Sequence, residues 1–204
     1  DGPSPRDIGA QMLISEQQRW GFLSGGCVED DVARHGREVI ATNAHRLLRY
    51  GEGSPWFDIK LACGAGISIL VEPAQIDDPA VSTLLSGYRD RKPVLWQSDG
   101  ETRTARFCKK AGSLLQSWDD NSFSALYEPP LRLVIIGSDA TALALAGLAL
   151  HLEMETVLVD PGGPMNAPFV GMGYLCSSTV EALPLDRWTA VAVVTHDRES
   201  DESM

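Results

Sequence analysis

The stretch from Leu131 to Asp160, LRLVIIGSDATALALAGLALHLEMETVLVD, decides the fold of this chain. An apolar run leads into Gly137, an alanine- and leucine-rich segment of helical length follows, and a second apolar run ends in Asp160. A buried strand, a glycine turn, a helix and a second buried strand form a βαβ unit, in which the two strands are parallel. The stretch therefore predicts an α/β chain with a Rossmann-like parallel sheet.

The sequence on both sides of this unit predicts the domain organisation. Two further strands are expected near 173–176 and over 190–195, and they extend the sheet. Upstream, residues 108–130 are polar and rich in turn residues and end in Glu-Pro-Pro, which indicates a domain boundary. We therefore expect an N-terminal mixed α/β domain at 1–128 and a Rossmann-like domain at 129–204. Because the chain stops soon after the last predicted strand, we expect the second domain to be incomplete.

Apolar periodicity predicts the elements of the first domain. In chain order they are a hairpin over 11–15 and 20–23, a helix over 28–48, strands over 57–61 and 66–71, a helix over 79–91, and a hairpin over 94–97 and 102–107. The residues SDGE form the turn of the second hairpin. His35 and His45 both fall in the first predicted helix, where exposure is the default expectation.

Composition excludes several classes of protein. Apolar residues make up 44% and charged residues 22% of the chain, as in ordinary globular proteins. The net charge of −11 argues against nucleic acid or an anionic membrane as the main partner. The longest apolar run is too short to cross a bilayer. Four irregularly spaced cysteines without a C-x-x-C pair argue against a structural zinc site and favour reduced thiols in a cytoplasmic protein.

The turn after the first Rossmann-type strand departs from the dinucleotide-binding pattern G-x-G-x-x-G/A. Its first glycine is Gly137, but Asp139 stands at the second glycine, where the backbone should approach a diphosphate. This substitution argues against tight NAD(P) binding, although the helix N-terminus remains suited to another anion. Asp160 stands where a ribose-binding acid belongs. The residues predicted to bind a ligand at this edge of the sheet are Gly137, Ser138, Asp160, His196 and Asp197.

The stretch SGGCVEDD, residues 24–31, places a thiol between flexible backbone and a predicted helix start. Gly25 and Gly26 leave Cys27 open to a large ligand and offer backbone N–H groups to an anion, while the acids that follow suit the first helical turn. A second cysteine, Cys63, precedes Gly64 in ACGAG. The alternative to a ligand-binding role is that Cys27 and Cys63 are inert thiols buried in tight turns. Cys108 and Cys176 are expected in the core.

Several of these segments, taken in order, resemble the XdhC/CoxI family. They are SPRDIGAQM, GFLSGGCVEDDV, ACGAGISILVEP, LVIIG and TAVAVVTHD, and they run across nearly the whole chain. The family turn G-A-G-H-x-A is altered here, because Asp139 and Ala140 replace its second glycine and its histidine. The resemblance implies a maturation factor for molybdenum hydroxylases such as xanthine dehydrogenase or carbon monoxide dehydrogenase. Such a chaperone binds molybdenum cofactor, protects it while its terminal sulfur is installed, and delivers it to the apo-enzyme.

The resemblance also implies roles for particular residues and partners. Cys27 would contact molybdenum or its sulfur, Cys63 would line the same cleft, and Arg6 would meet the cofactor's phosphate. The partners would be the apo-hydroxylase and a cysteine desulfurase. Apart from the resemblance, a homodimer is expected if a second copy of the chain closes the cleft between the two domains. Two alternatives stay open, an NAD(P)-dependent oxidoreductase built on the Rossmann-like half and an accessory domain that bridges proteins without a cofactor.

Overall fold

The structure is a computed structural model that describes residues 8–51, 54, 61, 64, 66–108, 116–118, 122–176 and 183–195. The chain forms two compact units, Asp1–Glu128 and Pro129–Met204. Among the described residues, no helix combines the length and apolar character needed to cross a bilayer.

The first unit combines two helices with short antiparallel sheets. Its elements are β1 (Met12–Ile14), β2 (Arg19–Gly21), α1 (Glu29–Thr42), β3 (Arg46–Tyr50), β4 (Ile67–Val71), α2 (Pro79–Arg89), β5 (Val94–Ser98), β6 (Arg103–Phe107), β7 (Gln116–Trp118) and β8 (Phe123–Tyr127). β1 pairs with β2, β3 pairs with β4, and a larger sheet has the order β6-β5-β8-β7. Both predicted hairpins are confirmed, and the predicted strand over 57–61 lies largely outside the described residues.

The first helix is shorter than predicted. It ends at Thr42, and Asn43 adopts the left-handed conformation that often terminates helices, with its N–H bonded to the carbonyl of Val39 at 2.8 Å. The residues after it form β3, in which Leu48 and Tyr50 alternate into the core. The prediction of a helix to residue 48 was wrong because Leu47 and Leu48 also fit helical spacing.

One further expectation for this unit needs correction. The segment over 108–130, read as turn-rich, contains β7 and β8, and β8 lies between β5 and β7 with Ala125 and Leu126 buried. The fully buried residues of helix α2 are its small ones, Ala80 and Gly87. Gly87 is buried against Val94, whereas Tyr88 is 65% exposed.

One hydrophobic cluster joins α1 to the β3–β4 sheet in the first unit. Partly buried residues from the β1 strand and from the loop before α1 pack against it. Its buried members are Val28, Val32, Val39, Leu48, Tyr50, Leu61, Ile69 and Val71. The cluster therefore fixes the start of α1, where Val28 follows Cys27 directly.

The second unit is the predicted Rossmann-like sheet. It consists of β9 (Arg132–Ile136), α3 (Ala140–His151), β10 (Glu155–Val159), β11 (Gly173–Leu175) and β12 (Thr189–Val193). All described strands are parallel and have the order β11-β10-β9-β12. Their carboxyl ends lie at one edge of the sheet, which is the edge where open α/β sheets bind ligands.

Candidate functional site

The loop before α1 holds Cys27 on an unusual backbone. Gly25 and Gly26 have φ angles of +94° and +110°, which L side chains rarely adopt. A side chain at Gly26 would meet no other atom within 4 Å, so the backbone conformation rather than space requires glycine there. Cys27 itself is exposed and its thiol is free. The alternative of a buried thiol is therefore wrong for Cys27.

The carboxylate of Glu29 lies inside this loop and accepts hydrogen bonds from it on both oxygens. The donors are the backbone N–H groups of Leu23 (2.9 Å), Ser24 (2.7 Å), Gly25 (3.1 Å), Gly26 (2.9 Å) and Val28 (3.1 Å), and the hydroxyl of Ser24 (2.9 Å). Successive backbone N–H groups in such a turn make an anion-binding concavity. We expected the glycine N–H groups to face an anionic ligand, and this expectation needs correction because Glu29 takes them.

Glu29 is an ionised group within the protein interior. It is 1% exposed, and burial raises the pKa of its carboxyl, but the hydrogen bonds from Ser24 and Leu23 outweigh burial and lower the pKa to about 2. Relative to the ordinary value of 4.5, this shift corresponds to about 3 kcal/mol of stability at neutral pH. Glu29 therefore stabilises the loop far more than an acid that only faces a helix dipole.

Ser24 completes the start of the helix. Its hydroxyl oxygen accepts the N–H of Cys27 at 3.0 Å and the N–H of Val28 at 3.3 Å, while Val28, at the N-cap, makes no side-chain cap. Sequence reasoning missed both Ser24 and Glu29. The sequence did contain a signal for them. Ser24 and Glu29 flank two consecutive glycines, and a serine hydroxyl and a carboxylate can accept hydrogen bonds from the N–H groups that converge in such a turn.

A polar cluster on α1 fixes the helix against β3. Asp31 accepts the hydroxyl of Tyr50 at 2.6 Å, and burial together with this bond raises the pKa of Tyr50. His35 is 2% exposed, and its ring nitrogens lie 3.0 Å from the guanidinium of Arg34 and 3.1 Å from that of Arg46. The prediction that His35 is exposed was therefore wrong. These contacts between α1 and β3 help to hold in place the helix that carries Glu29.

The second glycine turn of this unit is anchored in the same hydrophobic cluster. Gly64 has a φ of +69° and donates its N–H to the carbonyl of Leu61 at 2.9 Å. Leu61 is buried in the cluster that contains Val28. Both glycine turns thus rest on one core. Arg6 and Cys63 lie outside the described residues.

In the second unit, the turn after β9 is closed by an acid of its own. Gly137 has a φ of +156°, and a side chain there would overlap the carbonyl oxygen of Val194. Asp139 is the N-cap of α3, and its carboxylate accepts the N–H of Ala142 at 2.8 Å. A diphosphate approaching this terminus would meet a negative charge and one fewer donor, which argues against NAD(P) binding.

Asp160 follows β10 at the same edge of the sheet. It is 8% exposed, and the hydroxyl of Tyr174 donates to its Oδ2 at 3.3 Å. Its Oδ1 has no hydrogen-bond partner among the described residues. Gly137 and Asp160 are neighbours, since Gly137 donates its N–H to the carbonyl of Val159 at 3.0 Å. Ser138 is exposed beside them, and His196 and Asp197 lie outside the described residues.

The remaining cysteines differ in exposure. Cys176, expected in the core, is exposed just after β11, and Cys108 is half-buried. The expectation for Cys176 was wrong because the strand ends one residue before it. Within the described ranges, no three His, Cys, Asp or Glu side chains are placed to hold a metal ion together.

Comparisons with known proteins show what this chain is similar to. The model of the XdhC and CoxI family matches residues 1–51. The molybdenum cofactor insertion chaperone PaoD of Escherichia coli (strain K12) is 38% identical over 160 residues, which make up 78% of this chain and 49% of PaoD. The chain thus spans about half the length of this curated relative.

A solved structure supports the fold. The crystal structure of a xanthine dehydrogenase from Bacillus halodurans superposes with a TM-score of 0.73 at 20% identity, covering 100% of this chain and 70% of that one. The family match contains the Cys27 loop, and the match to PaoD extends the relationship over most of the chain. The chain is thus similar to the XdhC and CoxI family over residues 1–51 and to PaoD over most of its length.

Proposed function

We propose that this chain is a binding protein that holds the molybdenum cofactor and delivers it to a molybdenum hydroxylase. The observation that carries the proposal is the exposed thiol of Cys27 on a loop fixed by Glu29. The name of the relative PaoD, a molybdenum cofactor insertion chaperone, points to the same cargo. In this account the chain binds and releases the cofactor without turning it over.

The Cys27 loop suits the metal end of the cofactor. A thiol is a soft ligand that matches a sulfur-rich metal centre, and the glycines beside it leave room for a bulky group. The backbone is already ordered, so little conformational freedom is lost when the cofactor binds. The residues that we assign to this end are Gly25, Gly26, Cys27, Cys63 and Gly64.

The phosphate end of the cofactor requires a different part of the protein. The donors of the Cys27 loop are taken by Glu29, whose negative charge repels a phosphate. We assign the phosphate to Arg6, because a guanidinium binds phosphate oxygens in a bidentate way. At the ligand edge of the second unit, Gly137, Ser138, Asp160, His196 and Asp197 stay proposed cofactor-binding residues, but the carboxylate of Asp139 argues against a phosphate at that edge.

The proposed partners follow from the proposed delivery. They are an apo-hydroxylase that receives the cofactor, a cysteine desulfurase that supplies its terminal sulfur, and a second copy of this chain. We place these encounters in the cytoplasm. The net charge of −11 suits transient protein partners rather than nucleic acid.

A retention assay tests the proposal. The purified protein is mixed with cofactor released from a hydroxylase, passed through a desalting column and analysed for molybdenum and pterin. Cys27→Ser is compared with Cys176→Ser, because both thiols are exposed and free. We expect the wild type and Cys176→Ser to retain molybdenum and pterin together, and Cys27→Ser to lose both. Equal retention by all three proteins would contradict the assignment of Cys27.

A further inference from the structure

We propose that Glu29 is the positioning residue of the Cys27 site and acts as a resident anion that holds the thiol in place. The role given to Cys27 rests on the proposed function, whereas the positioning itself rests on contacts within the chain. Glu29 belongs to α1 and Cys27 to the loop before it. A single carboxylate thus links the loop to the helix.

Besides Glu29, the loop is held by the Ser24 hydroxyl, which accepts the N–H of Cys27, and by the packing of Leu23 and Val28 at its ends. Two consecutive glycines with positive φ leave the backbone many alternative conformations in the absence of a restraint. In the observed conformation five backbone N–H groups converge on one carboxylate. Without an acceptor, these dipoles repel one another and their N–H groups lose partners. The observed conformation therefore depends on an anion in the concavity.

Glu29 is itself rigidly placed. It is the first residue of α1, and its neighbours Val28 and Val32 are buried in the hydrophobic cluster of the unit. Asp31, two positions further on, is bonded to Tyr50 of β3. The position of the carboxylate is thus set by the core, and the position of the Cys27 backbone follows from it.

The negative charge is essential in this arrangement. A glutamine has the same shape, but its NH₂ group would face N–H donors where the second carboxylate oxygen now accepts. An alanine leaves the concavity empty and its N–H donors unpaired. A small carboxylate from solution fits the space that the Glu29 side chain vacates, so formate should restore the loop in Glu29→Ala.

The experiment follows the mobility of a nitroxide attached to Cys27. The other three cysteines, at 63, 108 and 176, are replaced by serine so that only Cys27 is labelled. The variants are Glu29→Gln, Glu29→Ala and the control Asp30→Asn, whose exposed acid is paired with Arg19 at 2.7 Å. Spectra are recorded with sodium formate or with sodium chloride at equal ionic strength.

We expect an immobilised label in the wild type and in Asp30→Asn, and a mobile one in Glu29→Gln and Glu29→Ala. Formate, but not chloride, should immobilise the label in Glu29→Ala alone. If the Glu29→Ala chain fails to fold, formate should restore its folded circular dichroism spectrum. Labels equally immobile in all proteins, or no formate effect on either mobility or folding, would overturn the proposal.

Cofactor retention separates this inference from the proposed function. In chains with all cysteines intact, Glu29→Gln should weaken retention at least about tenfold, a change that corresponds to the loss of one hydrogen bond to a charged group. If the label responds as expected while Cys27→Ser still retains the cofactor, the positioning holds and the proposed function fails. Unchanged retention by Glu29→Gln when Cys27→Ser has lost it would overturn the positioning.

Discussion

The Oε1 atom of Glu29 accepts the backbone N–H of Ser24 at 2.7 Å, so a helical acid closes the glycine loop that precedes its own helix. The second unit repeats the principle, since Asp139 accepts the N–H of Ala142 at the start of α3. Both glycine turns that resemble phosphate cradles therefore carry a carboxylate of their own. This pairing gives a common physical reason why neither turn favours a phosphate ligand.

The pKa of Glu29 predicts an acid-dependent loss of stability. The pKa of Glu29 is about 2 in the folded chain and 4.5 ordinarily. Its contribution to the free energy of unfolding is therefore complete above about pH 5 and is lost as the pH falls towards 2. Glu29→Gln should be less stable by about 3 kcal/mol at pH 7, and the difference should shrink below pH 4.5. Urea unfolding of both proteins at pH 7, 5 and 3 measures it. A difference that does not change with pH would contradict the assignment.

Replacing Asp139 should open the Rossmann-like turn to a dinucleotide. Asp139→Gly removes the carboxylate at the N-terminus of α3 and restores the second glycine of the pattern, at a cost to the helix of only a few tenths of a kcal/mol. NADH titration followed by fluorescence should detect binding to Asp139→Gly and none to the wild type.

A second substitution controls that experiment. Asp160→Asn in the Asp139→Gly chain should weaken NADH binding. Asp160 lies beside the turn, and its Oδ1 has no hydrogen-bond partner among the described residues, so it can accept a hydrogen bond from the ligand. Equal NADH binding by the wild type and Asp139→Gly would show that the carboxylate does not close the turn.

Two helical glycines should respond in opposite ways to alanine. A methyl group at Gly87 of α2 would overlap Val94 and approach the carbonyl oxygen of Lys92 at 2.9 Å, so Gly87→Ala should destabilise by about 1–3 kcal/mol. At Gly147 of α3 the nearest atom is in the ring of Phe169 at 3.6 Å, so Gly147→Ala should stabilise by about 0.5–1 kcal/mol. Calorimetry of both variants checks the signs, and a stabilised Gly87→Ala would refute the packing described for α2.

Removing the hydroxyl of Tyr50 should lower the free energy of unfolding more than removing the hydroxyl of an exposed tyrosine. Tyr50→Phe removes the 2.6 Å hydrogen bond from the buried Tyr50 to the half-buried carboxylate of Asp31, which keeps its ion pair with Arg34, and we expect a loss of about 1–3 kcal/mol. Tyr88→Phe, at a residue that is 65% exposed, serves as the control and should change stability by less than about 0.5 kcal/mol. Equal effects in urea unfolding would mean that the Asp31 contact adds nothing.

The predictable parts of the fold were those with a strong local pattern. The βαβ unit was predictable because strand, glycine turn and helix follow one another with unambiguous periodicity. The end of α1 was not, because Leu47 and Leu48 fit both a helix and the strand that pairs with β4. β8 was missed because it is a short strand that lies among turn residues, and because its pairing with β5 is a long-range property.

The candidate site was predictable in position but not in its internal bonding. The glycine pair and Cys27 marked the loop, and the structure confirms that the thiol is exposed. The role of Glu29 depends on the φ angles of Gly25 and Gly26, which turn five N–H groups towards one point. Side-chain burial, as for His35, likewise depends on packing between elements that are distant in sequence.

The most direct measurement of the central claim is the protection of Cys27 from alkylation by bound cofactor. Protein loaded with molybdenum cofactor and unloaded protein are treated with iodoacetamide, and the modification of Cys27 and Cys176 is quantified in each by peptide mass spectrometry. Since both thiols are exposed, Cys176 is an internal control. We predict that the cofactor slows the modification of Cys27 at least about tenfold, as expected for a thiol covered by a ligand, and leaves Cys176 unchanged. Unchanged modification of Cys27 in protein that has retained the cofactor would contradict the account.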